Sequence, residues 1–245
     1  MINLCIDLGN SRLKCAVMRD GKLQEEVFFL ENTLEEELTV LLDKYAPQGA
    51  ILASVINHPP AVEALLAGRT RFVKLGHQLH FPVKLAYEKP ETLGVDRIAL
   101  VCGASRRFPA SHNLVIGTGS AITYNFLHKN GEFMGGGISP GIDMRFKALH
   151  AFTDKLPQVA ADAQYSLIGY NTRQSILSGV QQGALEEVDG IINLYQARYR
   201  NFNVLLTGGN LEFFASRLKN KIFACPYLLY EGLNSILEIN ALEKN

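Results

Sequence analysis

No excess of either charge, no paired cysteines and no long apolar run occur in this sequence, and each absence removes a class of function. Lys plus Arg and Asp plus Glu number 24 each, so no net field draws the protein to nucleic acid, to an anionic membrane or to an acidic partner. The four cysteines, Cys5, Cys15, Cys102 and Cys225, are too far apart for a zinc or redox pair and sit in apolar patterns. Buried thiols in a reducing cytosol follow, hence an expected cytoplasmic location. No apolar stretch approaches the roughly 20 residues of a membrane span. The N-terminus reaches Asp7 without a basic start and a long apolar region, so no signal peptide is expected. His77 and His80 lack a third ligand for a metal.

Two common nucleotide motifs are also missing. The only Gly-Lys pair, Gly21-Lys22, precedes Leu23 and makes no P-loop, and Ile122 stands where a dinucleotide fingerprint starting at Gly117 and Gly119 needs its last glycine. A P-loop NTPase and a Rossmann dehydrogenase are excluded.

What is present is a pattern that occurs twice. "INLCID", "LKCAVMRDG" and "QEEVFFL" read as three strands, with a polar turn around "DLGNS" after the first and Asp20-Gly21 as a hairpin turn. The helix "TLEEELTVLLDKYA" follows, with Thr33 as N-cap, then the buried strand "GAILASVI", a short helix from Pro59-Pro60, a strand near Arg71 to Leu75 and a long helix over about Thr92 to Arg107. Near His112 the order restarts. "NLVIGTGSAITYNFLHKNGEFMGGGISPG" reads as strand, glycine turn, strand, Asn-Gly turn, strand. Helices, the strand "NVLLTGG", the helix "LEFFASRL", a strand over "IFACPYLL" and a closing helix come after it. With 47% apolar and 20% charged residues, the chain can bury two moderate cores. The expectation is two α/β lobes with mixed sheets and a cleft between them.

Taken singly, "DLGNS" and "GTGSA" are ordinary turns rich in glycine, asparagine and serine. Two of them at matching positions point to a phosphate clamp built from backbone N–H groups and small donors. Asp7 would face a phosphate only across a divalent cation, and Lys14 is placed to reach back toward the same anion. In "GVDRIALVCGASRRF", Asp96 opens a helix beside Arg97; by periodicity alone it complements the helix dipole.

The ordered set "DLGNSRLK", "GVDR", "GTGSAITYN", "GGGISPGIDMRFKALHAFTDKLP", "NTRQSILSGV" and "LLTGGN" resembles the type III pantothenate kinases of the acetate kinase/sugar kinase/heat-shock-70/actin superfamily, over essentially the whole length. The resemblance implies two similar ribonuclease H-like lobes, actin-like ATPase domains over residues 1–111 and 112–245, with mixed five-stranded sheets flanked by helices and the nucleotide in the cleft. It implies ATP-dependent phosphorylation of pantothenate to 4'-phosphopantothenate, the first step of coenzyme A biosynthesis. Carried over by residue, Asp7, Leu8, Gly9, Asn10, Ser11, Arg12, Leu13 and Lys14 would hold ATP together with Ser120, and Asp7 would meet Mg²⁺ through water. Asp96 would be the catalytic base. Tyr87, Gly94, Val95, Asp96 and Arg97 would bind pantothenate, Arg97 at its carboxylate, and Thr172 would reach the substrate of a neighbouring protomer in a homodimer.

The sequence departs from the family at one turn. Gly117 stands where the family has an aspartate that holds an activating monovalent cation, K⁺ or NH₄⁺, and Asn125 stands where it has a second aspartate. Glycine offers no side-chain oxygen, so little dependence on K⁺ is expected. A kinase for another small hydroxy acid and a non-catalytic nucleotide-binding regulator are the rival readings; the presence together of Asp7, Lys14, Asp96 and Arg97 argues against the second.

Overall fold

The computed structural model describes residues 1–9 and 12–242, so Asn10 and Ser11 of the expected ATP-binding set lie outside the described residues. The chain forms two compact units. One comprises Met1–Ala110, His128–Met134 and the segment from Tyr227 onward; the other comprises Ser111–Leu127 and Gly135–Pro226.

The first unit is built on β1 (Ile2–Leu8), β2 (Leu13–Arg19), β3 (Lys22–Phe29), β4 (Gly49–Ser54) and β5 (Arg71–Lys74), in the order β3-β2-β1-β4-β5. Asp20 and Gly21, both at positive φ, form the β2–β3 hairpin turn. β1, β4 and β5 run parallel, and β2 and β3 are antiparallel. Leu4, Ile6 and Leu8 alternate along β1 and pack with the apolar stripe Leu34, Leu38, Leu41 and Leu42 of α1 (Leu34–Tyr45) and with Val62 and Leu66 of α2 (Pro60–Arg69). The opposite face of β1 presents Asn3, Cys5 and Asp7. α3 (Val95–Arg107) completes this part of the chain.

β7 (His112–Thr118), β8 (Ala121–Leu127), β9 (Glu132–Pro140), β10 (Phe202–Thr207) and β11 (Phe223–Ala224) repeat the arrangement in the order β9-β8-β7-β10-β11. Again the first hairpin is antiparallel, and the first strand runs parallel to the two that follow the helices. The helices are α4 (Ile142–Ala151), α5 (Thr172–Leu177), α6 (Gly183–Arg198) and α7 (Leu211–Ala215), with one π-helical turn at Ser178–Gln182. Glu187 of α6 accepts hydrogen bonds from Tyr124, Ser139 and Arg145, which gives the "ISPGIDMR" stretch a structural reason for its polar residues.

The structure corrects three expectations. The second sheet has a sixth strand, β6 (Lys84–Leu85), paired through Lys84↔Glu132 and Leu85↔Phe133; two residues are too few to show an alternating pattern. The strand over "IFACPYLL" shrinks to Phe223–Ala224, because Pro226 has no N–H for a ladder and the chain turns into α8 (Leu228–Leu242). Most consequentially, α8 belongs with the first unit and not the second. Its buried Leu233, Ile236 and Leu237 cover the sheet face opposite α1 and α2, and its Asn234 accepts a 2.8 Å hydrogen bond from Asn3 of β1. α8 also lies against α3, backbone on backbone: a Cβ on Gly232 would fall 1.8 Å from the Ala99 carbonyl oxygen, and one on Gly103 would fall 2.4 Å from that of Leu228. Among the described residues no helix is long and apolar enough to cross a membrane.

Candidate active site

In the first unit the sequence-predicted residues gather at the ends of β1 and β2 and at the start of α3. Asp7 and Lys14 are direct cross-strand partners, and the Lys14 ammonium lies 3.3 Å from the Asp7 carboxylate. The Asp7 side chain is 18% exposed. Burial raises its carboxyl above the ordinary aspartate value, Lys14 opposes that shift, and the Asp96 carboxylate adds to it. Asp7 and Asp96 are therefore close enough to feel each other's charge. Leu8 is wholly buried in the core, so only its backbone is available to a ligand; its carbonyl accepts from the Val55 N–H. The turn closes through a 3.1 Å hydrogen bond from the Gly9 N–H to the Arg12 carbonyl, and Arg12 is exposed, with its guanidinium 5.8 Å from the Phe28 ring centre. Leu13 pairs with Leu8.

Gly94 is the N-cap of α3, Val95 its first residue, and Asp96 stands exposed in its first turn. A Cβ on Gly94 would sit 2.6 Å from Asp96 Oδ1, so the carboxylate folds back over the one residue that leaves it room. Arg97 is 6% exposed, and its guanidinium lies 5.8 Å from the ring centre of the fully buried Phe133. Tyr87 is half-buried two residues beyond β6, in the strand extension whose Ala86 N–H bonds the Phe133 carbonyl. His77, which with His80 lacks a third ligand for a metal, donates a 2.7 Å hydrogen bond to the Leu93 carbonyl and so steadies the entry to α3. The donor must be the ring N–H, since a carbonyl only accepts.

Two carboxylates and one ammonium at this point suit a divalent cation that brings its own phosphate and water ligands. Mg²⁺ is ordinarily held by one or two carboxylates in company with substrate phosphates. A cation there would also offset the charge that Asp96 sets against Asp7.

The second unit carries its own turn. Gly117, next to last in β7, lies opposite Thr123 and Thr207, and Ser120 is exposed in the β7–β8 turn. The turn is braced by two segments not included in the predicted site. Gly141 donates 3.0 Å to the Ser120 carbonyl and has no space for a Cβ. Gly208, at φ +109°, wraps the Thr118 backbone, whose carbonyl accepts from the Asn210 N–H. Two glycine-bearing turns thus bracket residues 118–120, and each closes a backbone hydrogen bond onto them. The second of these was marked in the sequence as a buried strand ending in glycines and as the motif "LLTGGN". Asn125 does not face the turn: it is fully buried and donates to the Val115 carbonyl and to Thr123. Thr172 is exposed at the start of α5, behind Asn171, whose side chain caps the helix by accepting from the Gln174 N–H.

Residues 3–194 match the family model described as type III pantothenate kinase. The type III pantothenate kinase of Flavobacterium johnsoniae is 38% identical over 232 residues, covering 94% of this chain and 95% of that protein. Among solved structures, a Campylobacter jejuni protein described as a Baf family transcriptional activator superposes with a TM-score of 0.60 at 23% identity, covering 96% of this chain and 97% of that one. A glucokinase from an Antarctic psychrotroph superposes with a TM-score of 0.50 at 12% identity, covering 97% and 98%. These structural likenesses concern the fold.

Proposed function

The chain belongs to the type III pantothenate kinase family, and from that membership we propose that it transfers the γ-phosphoryl group of ATP to the primary hydroxyl of pantothenate, opening coenzyme A biosynthesis. The observation that carries the reading is the Asp7–Lys14 pair on adjacent strands with Asp96 within electrostatic reach in the same unit.

Phosphoryl transfer passes through a loose transition state, so positioning and charge neutralisation do most of the work. Lys14 supplies a positive charge for the phosphates. Asp7 would hold Mg²⁺ through water; when bound, the ion neutralises charge that builds up on the phosphate oxygens. Asp96 orients the substrate hydroxyl and accepts its proton as the new O–P bond forms and the bond from the γ-phosphorus to the bridging oxygen breaks. That proton transfer is late, because an aspartate is a weak base for an alcohol. Arg97, held against Phe133, is suited to the pantothenate carboxylate, and Tyr87, Gly94 and Val95 shape the approach to it. In the second unit, Ser120 and the glycine turns around it would meet the nucleotide.

The reading extends to assembly and ions. Tyr170 is 88% exposed, and Leu167 and Ile168, three and two residues before it, are exposed as well. Apolar surface of this kind near Thr172 supports a homodimer in which Thr172 serves the partner's site. Gly117 offers no side-chain oxygen and Asn125 is committed to the sheet, so we assign the enzyme little dependence on K⁺. The buried free thiols Cys5, Cys15, Cys102 and Cys225 accord with a cytoplasmic protein.

The test is ADP release by the purified protein with Mg-ATP, with and without pantothenate. Pantothenate-dependent release supports the kinase. Release driven instead by another small hydroxy acid replaces the substrate, and nucleotide binding without turnover replaces the enzyme with a regulator.

A further inference from the structure

α8 lies outside the residues matched by the family model, yet it places one side chain in the candidate site. The Lys14 ammonium, 3.3 Å from Asp7, sits 5.2 Å from the centre of the Tyr230 ring. That ring is 1% exposed, and its hydroxyl donates a 2.7 Å hydrogen bond to Glu26 Oε1 on β3. Its place along the strands is set one helical turn away, where Asn234 accepts from Asn3, the residue four before Asp7 on the same face of β1. Tyr230 is therefore anchored at both ends, and its face is offered to the only ammonium paired with Asp7 among the described residues.

We infer that Tyr230 is a positioning residue of the phosphate clamp, its ring holding the Lys14 ammonium beside Asp7 in the orientation that receives ATP. The inference rests on the reading of Lys14 as an ATP-phosphate ligand. An aromatic face suits this task for a reason of charge. A lysine has four rotatable bonds to be ordered, and a second carboxylate would order them but would also cancel the charge that a phosphate needs. A ring restrains the ammonium through its quadrupole and leaves the full unit charge available. Burial, followed by the bond to Glu26, keeps the phenol protonated, so the ring stays neutral beside Asp7.

The experiment replaces Tyr230 with phenylalanine and then with phenylalanines carrying one, two and three ring fluorines. Fluorination weakens the quadrupole and barely alters the shape. The expected result is a KM for ATP, and a dissociation constant for a non-hydrolysable ATP analogue with Mg²⁺, that rise stepwise to about 3- to 30-fold across the series. The KM for pantothenate should stay flat, and Tyr230→Phe itself should lie within about threefold of the wild type. A role in packing alone would not follow the fluorine count, so a flat series in folded protein overturns the inference. Tyr230→Leu, with its melting temperature measured, adds a variant lacking any ring; unchanged analogue affinity there also overturns it. If the wild type neither binds the analogue nor turns over, the reading of Lys14 has failed and takes the inference with it, an outcome distinct from a flat series on an active enzyme.

Discussion

Replacing Gly232 with alanine adds a single methyl group to α8 and should cost the fold about as much as a mild core truncation. The added Cβ would fall 1.8 Å from the Ala99 carbonyl oxygen, 2.7 Å from its carbon and 3.0 Å from the Gly103 nitrogen. Ordinary non-bonded contact lies near about 3.5 Å, so α3 and α8 must separate by more than about 1 Å. All three atoms are backbone, and no side chain can rotate away. Overpacking of this kind costs about 1–3 kcal/mol and sometimes more, against which alanine regains about 1 kcal/mol of helix propensity over glycine. With rigid backbone on both sides the cost lies at or beyond the top of that range, about 3–4 kcal/mol, giving a net loss of about 2–3 kcal/mol. For a chain of this size that lowers the melting temperature by about 4–12 °C. Gly190, inside α6 with nothing within 4 Å of its would-be Cβ, supplies the control. There the same substitution keeps only the propensity gain and should raise the melting temperature by about 1–4 °C. Thermal unfolding of the three proteins, followed by circular dichroism, decides the matter. A Gly232→Ala protein that melts with or above the wild type would refute the close α3–α8 approach. Because Ala99 lies one turn beyond Asp96, turnover should also fall, by up to about 100-fold if the carboxylate shifts by 1 Å.

Asp96→Asn should slow pantothenate-dependent turnover by about 10²–10⁴-fold, or about 3–5 kcal/mol, with a smaller effect on ATP binding; a variant keeping more than about a tenth of the rate removes Asp96 from the base role. Asp7 binds its proton more tightly folded than unfolded, so its ionisation costs stability as pH rises from about 4 through its raised folded value. Asp7→Asn should therefore abolish turnover yet raise the melting temperature at pH 7, with the gain vanishing below about pH 3; an equal shift at both pH values contradicts the assignment. Rates in potassium and in a large organic cation at equal ionic strength should agree within a fewfold. Activation by potassium of tenfold or more would show that another group has taken the place of the missing carboxylate at Gly117.

Reading the sequence succeeded where local pattern and local structure coincide. Alternation through "DLGNSRLK" put Asp7 and Lys14 on neighbouring strands, and the register pairs them. The repeated three-strand opening foretold two sheets of matching order. It fell short where the deciding interactions join distant segments. The apolar pattern of α8 shows that one face is buried but not against which sheet, and the answer lies in Asn3, 231 residues from Asn234. Nothing in the sequence singles out Tyr230, since a cation over a ring leaves no trace in spacing. Asn125 looked like a weakened ligand, whereas its side chain is a rung between β7 and β8.

The contribution of α8 to the first unit also sets an order of events on the ribosome. Synthesis proceeds from the N-terminus at about 5–20 residues per second, so every residue of the second unit is made before α8 emerges. Until then the face of the first sheet that Leu233, Ile236 and Leu237 will cover stays open to water and to other nascent chains. Only when α8 docks are Tyr230 set beside Lys14 and Gly232 against the helix of Asp96. The unit whose strands are translated first is thus the last to be finished, and a polypeptide cut short at Pro226 carries every residue of the second unit and an unfinished first one.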